Sequence, residues 1–124
     1  MAKRKVTHYK DLHVWQKGME LARSVYRLTG RFPGEERFGL VAQMRRAAVS
    51  VPSNIAEGQA RQGTREFLQF LSHAAGSLGE LETQVVLSEQ LGYCKSDDSV
   101  GILRIIADLQ RMLRALRRSL AAGA

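Results

Sequence analysis

The run ILRIIADLQRMLRALRRSL, residues 102–120, decides the fold class. Ile102, Ile106, Leu109, Leu113, Leu116 and Leu120 step alternately by four and three, the spacing that holds side chains on one side of a 3.6-residue helix. Leu103, Ile105 and Met112 widen that seam. Away from it, Arg104, Arg111 and Arg118 recur every seven residues, with Arg114 and Arg117 beside them. A strand would need a period of two, which this stretch lacks.

The helical period continues back through the chain. Thr64 to Ser88 carries a seam of Phe67, Leu71, Ala74, Leu78, Leu81, Val85 and Ser88, and Leu40, Met44, Ala47, Val51 and Ile55 form another before it. The first helix shows Trp15, Met19, Ala22 and Tyr26 as its stripe, flanked by Val14, Leu21, Val25 and Leu28, with Asp11 expected as N-cap. The second is expected to start near Glu35 and Glu36 and to kink at Pro52, because its stripe runs on past the proline. Thr64 is the expected cap of the third, and Ser96-Asp97-Asp98 of the fourth. Gly76 and Gly79 inside the third helix suggest that another backbone comes close there. Four amphipathic helices with short connections predict an all-α fold, an antiparallel up-down-up-down four-helix bundle, in one domain over 1–124 whose first ten residues are a flexible basic arm.

Composition fits this. At 124 residues the chain is long enough to bury roughly 65–70% of its unfolded surface in one core. Its lone Cys94 has no partner for a disulfide. No apolar run approaches the ~20 residues of a membrane span, and the basic start lacks the apolar stretch of a secretory signal, so the expected setting is the cytoplasm and no membrane partner is expected. Nineteen Lys and Arg against twelve Asp and Glu leave a formal charge of +7, which points to acidic partners.

That charge is uneven. Glu66, Glu80, Glu82 and Glu89 mark the third helix, whereas Arg104, Arg111, Arg114, Arg117 and Arg118 mark the fourth. The arginine stripe is either a solvated bundle face or a phosphate-tracking surface for RNA or DNA, joined by Lys3, Arg4 and Lys5 of the arm. No aromatic residue interleaves with those arginines, so neither base stacking nor sequence readout is expected of them. On the second helix Gln43, Arg46, Ser50, Asn54 and Glu57 form a polar spine beside the apolar stripe. Its expected partners are Glu80, Glu82 and Gln84, with Arg46 pairing a carboxylate in a structural network. His8, His13, His73 and Cys94 lack the spacing of a metal site, and the chain has neither a phosphate-binding glycine loop nor a nucleophile elbow. No catalytic residue, metal or cofactor is therefore expected.

Specific runs of residues add a family resemblance. Asp11-Leu12-His13-Val14-Trp15-Gln16-Lys17, Phe32-Pro33 and Phe38-Gly39-Leu40 lead into Gln43-Met44-Arg45-Arg46-Ala47-Ala48-Val49-Ser50-Val51-Pro52-Ser53-Asn54-Ile55-Ala56-Glu57-Gly58. Together with Glu66-Phe67, Gly76-Ser77, Glu80-Leu81-Glu82-Thr83-Gln84 and Leu91-Gly92-Tyr93, these resemble the four-helix-bundle family named after proteins encoded in 23S rRNA intervening sequences. The match spans Asp11 to Tyr93; the fourth helix matches in character, and Gly18 and Cys94 depart from residues common in the family. The resemblance implies a bacterial cytosolic homopentamer without enzymatic activity. It also implies kinship with accessory proteins of diversity-generating retroelements, which bind nucleic acid and a reverse transcriptase. The first expectation for function is thus a non-enzymatic nucleic-acid-binding assembly. The alternative is a protein-interaction scaffold, with an enzyme built at a subunit interface behind both.

Overall fold

The computed structural model of the protein describes residues 8–123. Four helices carry the fold: α1 (His13–Thr29), α2 (Leu40–Ala60), α3 (Thr64–Gln90) and α4 (Ser96–Gly123). No strand occurs among the described residues. Consecutive helices pack together and α4 returns to α1, closing a four-helix bundle.

Contacts between the helices give their direction. Thr29 bonds to Arg45, and the backbone of Gly18 faces Pro52. Met44 meets Ser88, and Ser50 meets Ser77. Glu89 pairs with Ser99 and Glu82 with Gln110. Lys17 pairs with Asp108, and Arg31, just past α1, with Asp98. In each set the numbers rise on one helix as they fall on the other, so every neighbouring pair is antiparallel.

The predicted seams of α2, α3 and α4 form the core, in which Met44, Val51, Ile55, Leu71, Leu78, Leu81, Ile106 and Leu109 are fully buried. Each large aliphatic side chain so placed contributes roughly 1.5–3 kcal/mol relative to exposure. In α1 the two apolar rows exchange roles. Val14, Leu21, Val25 and Leu28 enter the core, whereas Trp15, Met19 and Ala22 are half-buried and Tyr26 is exposed. Gly18 explains the exchange: it completes the inner row, and a Cβ there would stand 3.3 Å from the Pro52 ring. That proline lies buried within α2, which continues to Ala60.

Helix ends differ more from the sequence pattern. Asp11 does not cap α1; it ends a 3-10 turn, Tyr9–Asp11, whose Tyr9 ring meets Trp15 edge-on at 5.3 Å. Tyr9 and Lys10 are thus part of the ordered bundle rather than of an arm. Glu35 and Glu36 do not begin α2 either, but form a separate 3-10 turn with Gly34. Glu36 still serves the helix start, since its Oε1 accepts from the Leu40 amide at 3.1 Å and its Oε2 from the Tyr93 hydroxyl at 2.9 Å. Thr64 is the first residue of α3 and makes no cap, Gly63 holding that position. Ser96 likewise is the first residue of α4 and not the cap before it, but Asp97 and Asp98 lie in the first turn as expected, and Asp98 accepts from the Lys95 amide at 3.2 Å. The end of α3 is a Schellman turn: Gly92 takes φ 80°, its amide donates to Glu89 O at 3.0 Å, and the Tyr93 amide donates to Ser88 O at 2.9 Å.

The small residues of α3 correct another expectation. A Cβ at Gly76 or Gly79 would meet nothing, so no other backbone among the described residues approaches there. The close approach lies at Gly58, where a Cβ would stand 2.7 Å from the Phe70 Cβ.

Candidate nucleic-acid interface

Arginine on α4 follows from the geometry of an amphipathic helix: the seam turns inward and a seven-residue repeat remains on one outer line. Arg104, Arg111, Arg114 and Arg118 are exposed, and Arg117 is half-buried. Arg104, Arg114, Arg117 and Arg118 have no carboxylate partner among the described residues. Arg111 differs, because its guanidinium is hydrogen-bonded to Asp108 one turn earlier. That bond, with Lys17 nearby, holds the Asp108 carboxyl below the usual carboxylate range. Lys3, Arg4 and Lys5 lie outside the described residues.

The packing of α4 on α1 adds cations that the sequence pattern alone leaves apart. Arg104 shares a groove with Lys17, Arg27 and Arg31. Lys17 and Arg31 are each tied to an acid of α4, at 3.6 Å from Asp108 and 3.8 Å from Asp98. Arg27 donates to Ser24 at 3.4 Å and pairs with no carboxylate among the described residues. The signal for this groove was the seven-residue step from Lys17 through Ser24 to Arg31, which becomes meaningful once the antiparallel register of α1 and α4 is known. Such a surface can bind phosphates: exposed guanidinium groups on a rigid helix need little reorganisation.

The polar spine divides into separate pieces. Ser50 and Ser77 join their hydroxyls across the α2–α3 contact, and Asn54 Nδ2 donates to Ser50 O at 2.8 Å. Glu57 forms a surface ion pair with Arg61 at 3.0 Å. Gln84 is buried, donating to Glu80 at 3.3 Å, while its Oε1 has no partner among the described residues. Glu82 accepts from Gln110 at 3.3 Å. Gln43 is exposed. Arg46 does not join Glu80, Glu82 or Gln84; it is exposed, with no carboxylate partner among the described residues. The reason is rotation. Each step of four residues advances the helix about 40° beyond a full turn, so Arg46 lies about 80° round from Asn54 and off the α2–α3 contact.

Little else in the chain suggests chemistry. Burial, the larger influence, and the nearby Asp98 and Glu89 push the Cys94 thiol upward, the opposite of an activated nucleophile. Among the described residues no three His, Cys, Asp or Glu side chains converge as a metal site requires, and no helix is long and apolar enough to cross a membrane.

Comparison with known proteins agrees with this architecture. A crystal structure of a protein of unknown function from the S23 ribosomal protein family of Bacteroides thetaiotaomicron superposes with a TM-score of 0.76 at 20% identity. The similarity covers 84% of this chain and 97% of that one. At that identity the likeness speaks for the fold. No curated protein matches the chain. The sequence profile of the 23S rRNA-intervening sequence proteins matches residues 10–115, which takes in all of α1, α2 and α3 and most of α4. The chain belongs to the 23S rRNA-intervening sequence protein family.

Proposed function

We propose that the protein is a non-enzymatic, cytoplasmic nucleic-acid-binding assembly whose α4 arginines engage phosphates without reading base sequence. The observation that carries this reading is an imbalance of partners. Eight of the twelve acids, Glu20, Glu36, Glu57, Glu80, Glu82, Glu89, Asp98 and Asp108, are engaged by groups of the same chain, and of the other four, Asp11, Glu35, Glu66 and Asp97, only Asp97 is on α4, in its first turn. Arg104, Arg114 and Arg118 are exposed and have no such acid among the described residues. An external polyanion supplies the missing charge, and exposed guanidinium groups suit contacts to its phosphates that carry no sequence information.

The assembly belongs to the same proposal: a closed homopentamer, which the resemblance implies and which the exposed Val86, Leu87 and Leu91 around the end of α3 support. Five copies would present 5 × 7 = +35 formal charges. Native mass spectrometry tests the assembly, with a fivefold mass expected and a monomer at micromolar concentration contradicting it.

Fluorescence anisotropy with labelled RNA and DNA tests the binding. Unrelated sequences should bind alike, and Arg114→Ala with Arg118→Ala should weaken all of them. Absence of binding at low salt would instead favour the alternative, a protein-interaction scaffold whose basic face meets an acidic partner.

A further inference from the structure

On its other flank, where α1 packs on α2, the protein has an open cleft of about 590 Å³. Its charged lining consists of Arg37, Arg45 and Arg46, over an apolar floor that includes Ala42 and Val49, and no carboxylate lines it among the described residues. Two aromatic rings accompany the arginines. The Arg45 guanidinium lies 4.4 Å over the Tyr26 ring, and that of Arg37 lies 5.3 Å over Phe38. Phe38 is 88% exposed and Tyr26 46%, so both rings reach solvent.

The guanidinium of Arg45 is fixed before any ligand arrives. Its Nε donates to Thr29 Oγ1 at 2.9 Å and its Nη2 to Tyr26 O at 3.3 Å, while Thr29 is anchored to Val25 O at 2.8 Å. Arg46 is different: exposed on the cleft wall, it has no hydrogen-bond or ion-pair partner among the described residues. The cleft therefore offers flat stacking surfaces, an apolar floor and a cation with nothing to neutralise it. Unpaired bases stack on aromatic rings and guanidinium planes, and their backbone phosphates seek uncommitted arginines. A duplex keeps its bases stacked inside and cannot present them to such a surface.

We infer that the α1–α2 cleft, lined by Tyr26, Arg45 and Arg46 with Phe38 beside it, is a stacking subsite for single-stranded nucleic acid. This rests on the nucleic-acid reading above and refines it: the α4 face holds phosphates of any polynucleotide, and the cleft selects for unpaired bases. A second copy of the chain is a weaker occupant, since it carries a formal charge of +7 and would bring net positive charge to a cleft that is already cationic.

The test compares a short oligouridine with an RNA duplex of equal length by fluorescence anisotropy, alongside native mass spectrometry of each protein. Phe38→Ala and Arg46→Ala alter exposed side chains and should leave the fold intact. Each should weaken oligouridine binding roughly 5- to 100-fold, the range for a lost stacking or paired contact, and leave duplex binding within about twofold. Tyr26→Leu, which keeps an apolar side chain, should behave as Phe38→Ala does. Equal losses on both polymers, or no loss on either while the wild type still binds, would overturn the subsite and leave the α4 interface standing. A fall in assembly mass for the cleft variants would overturn it in favour of a contact between copies. A wild type that binds neither polymer would remove the nucleic-acid reading itself, and the subsite with it.

Discussion

Arginine dominates both the α4 face and the α1–α2 cleft, yet its neighbours differ. On α4, Arg104, Arg114 and Arg118 project from a helix without an aromatic ring beside them, and Arg111 is tied to Asp108. In the cleft, Arg45 and Arg37 lie over Tyr26 and Phe38, and no acid lines the wall among the described residues. The lesson is that charge count alone does not define a binding chemistry. An isolated guanidinium on a helix line acts as a phosphate contact, whereas one fixed over an exposed ring makes a platform for a planar ligand.

Removing the α4 cations should produce the largest effect. Arg104→Ala, Arg114→Ala and Arg118→Ala combined should lower affinity for duplex and single strand alike by about a hundredfold near 0.1 M salt, because each lost phosphate contact also lowers the salt slope by about 0.9. Anisotropy titrations measure both. A loss confined to single strands would erase the distinction between the two surfaces.

Arg45→Ala should separate the surfaces by stability. It removes two hydrogen bonds and a cation–π contact, so denaturant melts should show a loss of about 1–2 kcal/mol. Arg104→Ala, with no partner to lose among the described residues, should stay within about 0.5 kcal/mol of the wild type.

A change of opposite sign should follow at Asp108. Its carboxylate engages Arg111 and Lys17, so Asp108→Asn frees Arg111, leaves Lys17 only its longer contact with Glu20, and should strengthen binding to any polynucleotide several-fold at low salt. Unchanged affinity would mean that Arg111 and Lys17 lie outside the interface.

The smallest effect is a pH dependence at the end of the bundle. The Leu40 amide, first, and the Tyr93 hydroxyl hold the Glu36 carboxyl below the usual range. A carboxyl depressed in the folded state stabilises it fully above its unfolded value, about 4.3, and that contribution disappears as pH falls through the lower folded value. Thermal melts at falling pH should therefore drop less steeply for Glu36→Gln than for the wild type, leaving the α4 face unaffected.

The bundle itself is legible in the sequence because three of its seams follow the helical period without interruption, as Leu71, Leu78, Leu81 and Val85 do on α3. The inner row of α1 is harder to see, since Gly18 occupies a core position with no side chain to mark it. Gly76 and Gly79 signal a close approach that, among the described residues of one chain, occurs at Gly58 instead. Cap positions such as Glu36 depend on where a distant Tyr93 arrives, which local pattern does not encode. The α4 stripe is readable as a single-helix repeat. The cleft is not, because it joins Tyr26 of α1 to Arg45 and Arg46 of α2 and to Arg37 and Phe38 of the intervening turn.

The salt dependence of polynucleotide binding tests the central claim most directly. With six or more phosphates engaged, the plot of log K against log salt on duplex DNA should have a slope of about −5 or steeper, and affinity should fall ~10³-fold or more between about 50 and 200 mM. The Arg104, Arg114 and Arg118 triple variant should then give a slope shallower by about 2.7. No binding at about 50 mM salt, or a slope that the triple variant leaves unchanged, would contradict a phosphate interface on α4.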